Sequence, residues 1–155
     1  MNLLEVRKQN GLTQKEAASL IGIPYRTYVR YEESEAYIGS YKYQKMIEDL
    51  NNKLLIDEEH GLLSIDKIKS CVSPILEKHN IHYCYLFGSY AKGRARENSD
   101  VDLLVDTDIT GMEFFRLTEE LRSALHKKVD LLRLQDLSKD NPIVFEILKD
   151  GIKLL

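Results

Sequence analysis

Asp100 and Asp102 stand two apart in Asn98-Ser99-Asp100-Val101-Asp102-Leu103-Leu104. On a strand that spacing projects both carboxylates from one face, roughly 6–7 Å apart. Val101, Leu103 and Leu104 around them belong in a core. Two like charges at the mouth of an apolar strand repel, and both are costly to desolvate unless something neutralises them. A divalent cation with a preference for oxygen is the simplest answer. Asp130 repeats the arrangement inside Val129-Asp130-Leu131-Leu132. If its strand neighbours 101–105, three carboxylates converge. Three carboxylates holding one or two Mg²⁺ ions is a layout for phosphoryl or nucleotidyl transfer.

Upstream lies Leu86-Phe87-Gly88-Ser89-Tyr90-Ala91-Lys92-Gly93. A glycine at a strand-to-helix turn lets the backbone approach a phosphate, and free N–H groups at a helix start favour an anion. The Ser89 hydroxyl can donate to a phosphate oxygen. Lys92, Arg94 and Arg96 put positive charge within reach of a triphosphate.

The elements that must carry these residues alternate helix and strand. Residues 65–79 place Ile65, Ile68, Val72, Ile75 and Leu76 on one helical face, with Ser64 as a cap and Pro74 predicting a kink or break. Residues 81–87, 101–105 and 128–133 read as strands, and 151–155 as a short last one. Thr110 and Glu113 predict a capping box on a helix running to about His126. Asn141-Pro142 opens a helix over 142–149. The order predicts a small mixed sheet with helices packed on one face.

Residues 1–56 read as short helices instead. Residues 2–9 form one, stopped by Asn10-Gly11. Thr13 with Glu16 makes a capping box for a second helix carrying Ala17, Ala18, Leu20 and Ile21. Gly22 ends it, and Pro24 suits the start of a third over 25–33, with Tyr28, Val29 and Tyr31 inward. A fourth fits 40–54 on Tyr43, Met46, Ile47, Leu50 and Leu54. Tyrosines 25, 28, 31, 37, 41 and 43 are expected as core and helix-contact residues.

Two resemblances follow from these motifs. Gly-Ser, ten residues, Asp-x-Asp and a third Asp on a later strand resemble the polymerase-β-like nucleotidyltransferase superfamily. LFGSYAKG…NSDVDLLVD is similar to its minimal nucleotidyltransferase branch, over about residues 65–155. The resemblance implies Asp100 and Asp102 as metal ligands and Asp130 as third carboxylate. Gly88 and Ser89 would bind nucleotide phosphates, with Lys92 and Arg96 adding charge. Lys92 falls where relatives often have Arg, which keeps charge but loses the bidentate fork. Leu12, Thr13, Gln14, Glu16, Ala18, Gly22, Ile23, Thr27 and Glu32 resemble the repressor-type helix-turn-helix, over about residues 2–55. That resemblance turns Gln14, Tyr25, Arg26, Thr27 and Arg30 to the major groove, where an arginine can contact guanine or phosphate. Glu32, Glu33 and Glu35 are expected to weaken the basic field there. The alternative for this half is a helical bundle that docks protein.

The expected fold class is therefore an α+β two-domain chain. An all-α helix-turn-helix bundle (1–56) is followed by a small mixed-sheet nucleotidyltransferase domain of α/β type (64–155). Minimal nucleotidyltransferases of this size resemble antitoxins of bacterial toxin–antitoxin modules. The resemblance implies transfer of AMP from ATP, with Mg²⁺ in a two-metal site, to a tyrosine hydroxyl of a HEPN-type toxin. It also implies repression of the module's own promoter. Two other readings stay open: a DNA-binding regulator whose second domain only senses nucleotide or docks a partner, and a transferase acting on a small molecule such as an antibiotic.

Composition sets the outer limits. The 155 residues are 43% hydrophobic and 30% charged, ordinary for a globular chain. Residues 1–56 carry a net +1 and residues 57–155 a net −4, so the chain is no nonspecific coat for nucleic acid. Useful DNA affinity then calls for a homodimer reading two half-sites. No stretch is long and apolar enough for a membrane span, and MNLLEVRKQNGL lacks a signal-peptide core, so a cytoplasmic protein without a membrane partner is expected. Cys71 and Cys84 fit no metal spacing and read as thiols. His60, His79, His82 and His126 show no ligand spacing and read as surface or packing residues.

Overall fold

Asn2 opens the chain as a helix cap: its side chain accepts from the Glu5 N–H, and Glu5 returns the bond to the Asn2 N–H. A computed structural model describes all residues 1–155. The chain divides into two compact units, Met1–Leu55 and Ile56–Leu155.

The first unit holds α1 (Leu3–Gln9), α2 (Gln14–Leu20), α3 (Tyr25–Glu33) and α4 (Tyr41–Leu54). The Thr13–Glu16 capping box forms as expected. Gly22 takes φ +67°, the left-handed conformation that turns α2 into α3. Leu3, Val6, Ala17, Ala18, Tyr28, Tyr43, Met46 and Leu50 make the core. The small side chains of Ala17 and Ala18 bring α2 close to its neighbours. The tyrosines divide. Tyr28 and Tyr43 are buried, and Tyr31 stacks on Tyr37 with centroids 4.3 Å apart. Tyr25 and Tyr41 are exposed rather than part of the core, because nothing in this unit covers those faces of α3 and α4.

The second unit is a four-stranded sheet in the order β3-β2-β1-β4. The strands are β1 (Cys84–Phe87), β2 (Val101–Val105), β3 (Val129–Arg133) and β4 (Ile152–Lys153). β1 is antiparallel to β2 and β4, while β2 and β3 run parallel. A parallel neighbour requires a crossover, and α7 (Gly111–Leu125) supplies it. α5 (Ile65–Lys78) and α7 cover one sheet face through Ile68, Val72, Leu76, Leu117, Leu121 and Leu125, against Leu86, Leu103 and Leu131.

Several expectations are corrected here. The helices are not confined to one face: α8 (Pro142–Asp150) packs Ile143 and Ile147 on the other, against Phe87, Leu104 and Leu132. Alternation explains this, since Phe87 and Leu104 point away from the α5–α7 side and must also be covered. Pro74 does not break α5, which runs through it to Lys78. The buried Leu76 beyond it keeps the last turn docked. Thr110 stands at the N-cap of α7, but its side chain makes no cap bond, so that capping box does not form. The first strand begins at Cys84 rather than residue 81. Both cysteines are free, and burial pushes the Cys84 thiol up to about 12. No helix is long and apolar enough to cross a membrane.

Candidate functional sites

Asp102 and Asp130 are paired across the parallel β2–β3 ladder, in a register running from Val101↔Val129 to Val105↔Arg133. Paired residues present their side chains to the same face. Here that is the α8 face, shared with Leu104 and Leu132. Asp100 lies two residues before Asp102 on the segment entering β2. Burial raises the Asp102 carboxyl to about 6, with the charges of Asp130, Asp100 and Glu146 adding to the shift. Three neighbouring carboxylates thus add to the cost of charging Asp102. The expected convergence is a shared face rather than a closed cage: no three His, Cys, Asp or Glu side chains stand close enough together to hold a metal ion.

Gly88 completes the spot. β1 delivers it directly opposite β2, where Phe87 pairs with Asp102. Gly88 has φ +70°. A Cβ there would overlap Asp102 Oδ2 and lie 2.9 Å from Asp102 Cγ. Only glycine fits, on grounds of space as well as backbone conformation. Gly88 also starts the single turn α6 (Gly88–Ala91), which carries Ser89 as its second residue. The oxygen donor set suits a hard divalent cation, and Gly88 brings bare backbone directly against Asp102. In donor chemistry the residues present fit such an ion, as an open set on one face and not as a closed cage.

The expected cations have different settings. Lys92 Nζ pairs with Glu146 Oε1 of α8 at 2.7 Å. Arg96 is exposed, and its N–H donates to Ser99 Oγ at 2.8 Å, which shapes the loop leading to Asp100. Glu146 is the residue that sequence reasoning missed. It lies in an ordinary amphipathic helix, and only the packing of α8 on the sheet brings it to Lys92 and Asp102. The histidines bind no such site: His79 meets Glu120 at 3.0 Å and His60 meets Asp57 at 2.9 Å.

In the helical unit, Tyr25, Arg26 and Arg30 are exposed along α3 and Thr27 is half-buried. The Arg30 guanidinium lies over Tyr31 and Tyr37, 5.8 and 5.9 Å from their ring centroids. Gln14 is not free: its amide donates to Glu32 Oε1 at 2.8 Å. Glu32 also takes two bonds from Arg7, both at 2.8 Å. Burial pushes the Glu32 carboxyl up, but the bonds from Arg7 and Gln14 outweigh it and the net shift is downward. Arg7 pairs with Glu32 inside the unit, so neither charge adds to the field at α3.

Comparison with known proteins addresses the same two regions. The model of the polymerase beta nucleotidyltransferase family matches residues 70–155, and a helix-turn-helix model matches residues 3–54. A relative from Methanocaldococcus jannaschii is 39% identical over 72 residues, which are 45% of this chain and 77% of that one. The protein adenylyltransferase MntA of Thermococcus cleftensis is 33% identical over 78 residues, 46% of this chain and 79% of that one. Among solved structures, a chain of a toxin–antitoxin crystal structure with AMP-PNP superposes at a TM-score of 0.51 and 27% identity. That match covers 56% of this chain and 72% of the other. The matched residues are those that build the mixed sheet, the Gly88 turn and the paired aspartates, and the chain belongs to the polymerase beta nucleotidyltransferase family, with a helix-turn-helix unit ahead of the transferase.

Proposed function

We propose that the chain is an antitoxin that transfers AMP from ATP to a tyrosine hydroxyl of a HEPN-type toxin, and that its helix-turn-helix binds the module's own promoter. The observation that carries the reaction is Asp102 paired with Asp130 beside a Gly88 backbone with no room for a side chain. The names of the relatives support the choice of adenylyl transfer, and the toxin–antitoxin neighbour supports a toxin as the acceptor protein.

The acceptor oxygen attacks the α-phosphorus of ATP, the bond to the β-phosphate oxygen breaks, and pyrophosphate leaves. Asp130, exposed at the edge of the site, takes the hydroxyl proton as general base. Gly88 and Ser89 hold the phosphates through backbone N–H groups and a hydroxyl. Lys92, released from Glu146, and Arg96 offset charge on the triphosphate. A Mg²⁺ ion held by Asp100 and Asp102 supplies, when bound, charge neutralisation at the phosphates and a lowered pKa for the acceptor hydroxyl.

The test is direct. The full chain, radiolabelled ATP, Mg²⁺ and the candidate toxin should give a labelled toxin, heavier by one or more AMP in its intact-mass spectrum. Asp100→Asn with Asp102→Asn should abolish labelling with the fold retained, because neutral amides hold a divalent cation poorly between phosphates. Undiminished labelling by that variant removes the assignment. A toxin neutralised by the variant at unchanged mass would favour a docking regulator instead.

A further inference from the structure

Lys127 is fully buried, and the chemistry proposed above makes no use of it. It lies just ahead of β3, three residues before Asp130. Its ammonium forms no ion pair. Nζ donates to the His60 carbonyl oxygen at 2.9 Å and, at close range, to the Glu97 carbonyl oxygen. A buried ammonium is expensive to desolvate, and burial accordingly lowers the Lys127 pKa, against the partly offsetting charges of Asp57, Glu97 and Glu59. An apolar residue of similar length would fill the same space without that cost. What the ammonium adds is two directed bonds.

Those bonds join two stretches that no strand or helix holds. Glu97 belongs to the loop between Gly93 and Asp100, which carries Arg96 and delivers Asp100 to the sheet. His60 belongs to a tight turn in which the Asp57 carboxylate accepts from the Glu59 and His60 N–H groups, at 2.9 and 2.8 Å. The Asp57 N–H in turn donates to the His60 carbonyl at 3.0 Å, so that oxygen is held in place before Lys127 reaches it. A second tie runs in parallel: the Gly61 N–H donates to Glu97 Oε1 at 3.1 Å. At the far end of the loop, the Val101 N–H donates to the Lys128 carbonyl at 2.8 Å. The loop is thus pinned at Glu97 and at Val101 by neighbouring residues of one short stretch, Lys127-Lys128.

We infer that Lys127 is a positioning residue: its buried ammonium clamps the Gly93–Asp100 loop onto the 57–61 turn and so sets where Asp100 and Arg96 meet the nucleotide and its cation. This deepens the nucleotidyltransferase reading and rests on it for the identity of the ligand. It also makes residues 57–61 part of the catalytic unit. The lysine touches no substrate and acts only through the loop.

The full chain carrying Lys127→Met tests this by hydrogen exchange without nucleotide and by AMP-PNP affinity with Mn²⁺ as the probe ion. Amides of residues 94–100 should exchange about tenfold faster or more, while those in the cores of α5 and α7 keep wild-type protection. The dissociation constant for AMP-PNP with Mn²⁺ should rise about tenfold. Glu97→Ala, at an exposed position, removes only the parallel tie and should shift both readouts in the same direction by less. It remains informative if Lys127→Met fails to fold. Wild-type exchange in 94–100 for both variants overturns the clamp, and so does a uniform rise across residues 56–155, which marks a merely structural lysine. No AMP-PNP binding by the wild type would instead overturn the nucleotide reading, and with it the loop's role toward a nucleotide, whatever the exchange shows.

Discussion

Asp102 is held in a setting that opposes its own charge. Burial first, then the neighbouring carboxylates, raise it to about 6. A carboxyl group with a raised folded pKa favours the folded chain in its protonated form. Its contribution therefore declines as pH climbs from the unfolded value near 4 through 6, and is flat above. Asp102→Asn is neutral throughout. In chelator, at pH 7.5, that variant should melt about 2–6 °C above wild type, and the difference should vanish as pH falls to about 4. Thermal scans at both pH values check it, and a variant less stable than wild type at pH 7.5 would show that the repulsion is already relieved. Stability lost at a site whose arrangement serves chemistry is a familiar exchange. At this scale the sequence was highly legible. Asp-x-Asp alone is more often a solvated turn, and it was the apolar flanks, the upstream Gly-Ser and a third Asp together that singled out Gly88, Ser89, Asp100, Asp102 and Asp130 as candidates; of these, the pairing of Asp102 with Asp130 and the Gly88 contact are seen in the fold. Glu146 and Lys127 were not legible, because each gains its meaning from a contact distant in the chain.

Among the elements, α1, α2 and α3 are locked by one buried pair. Arg7 reaches from α1 to Glu32 on α3, and Gln14 on α2 joins the same carboxylate. Side-chain exposure is 13% for Arg7 and 2% for Glu32. Arg7→Ala leaves a buried carboxylate with a single amide partner, and should cost the helical unit about 3–5 kcal/mol in a denaturant titration. Replacing both partners, as Arg7→Met with Glu32→Leu, should recover most of that. If the single and double variants are equally unstable, packing rather than charge explains the loss. The Glu32 pKa is lowered in the fold, so the stability from this pair is present at neutral pH and is lost as pH falls through the lowered value. The Thr13–Glu16 capping box, Gly22 and Asn141-Pro142 made their element boundaries readable, since each satisfies a local bond or backbone need. Pro74 and Thr110 misled for the opposite reason: tertiary docking of Leu76 carries α5 past the proline, and α7 starts without the bond its cap residue could make. The coverage of the second sheet face was implicit in the alternation of Phe87 and Leu104, but a short amphipathic helix does not announce which face it joins.

For the molecule as a whole, two units imply two separable activities. Arg26→Ala with Arg30→Ala should weaken binding to the chain's own promoter by about 1–3 kcal/mol for each arginine that reads a base. Labelling of the toxin should be unchanged. A gel-shift titration at fixed salt, run beside the transfer assay, decides; equal promoter binding by wild type and variant removes α3 from the reading role. Two of the site's carboxylates also come from the only parallel pairing in the sheet, which cannot form until α7 has crossed over. Non-local pairings of this kind close late, because the entropy of the intervening chain is lost before any contact compensates for it. On dilution from denaturant, helical signal from the first unit should therefore return before AMP-PNP binding does. The interval between the two is a clock for site assembly, and on the function proposed here a newly made chain would be able to bind DNA before it could modify anything.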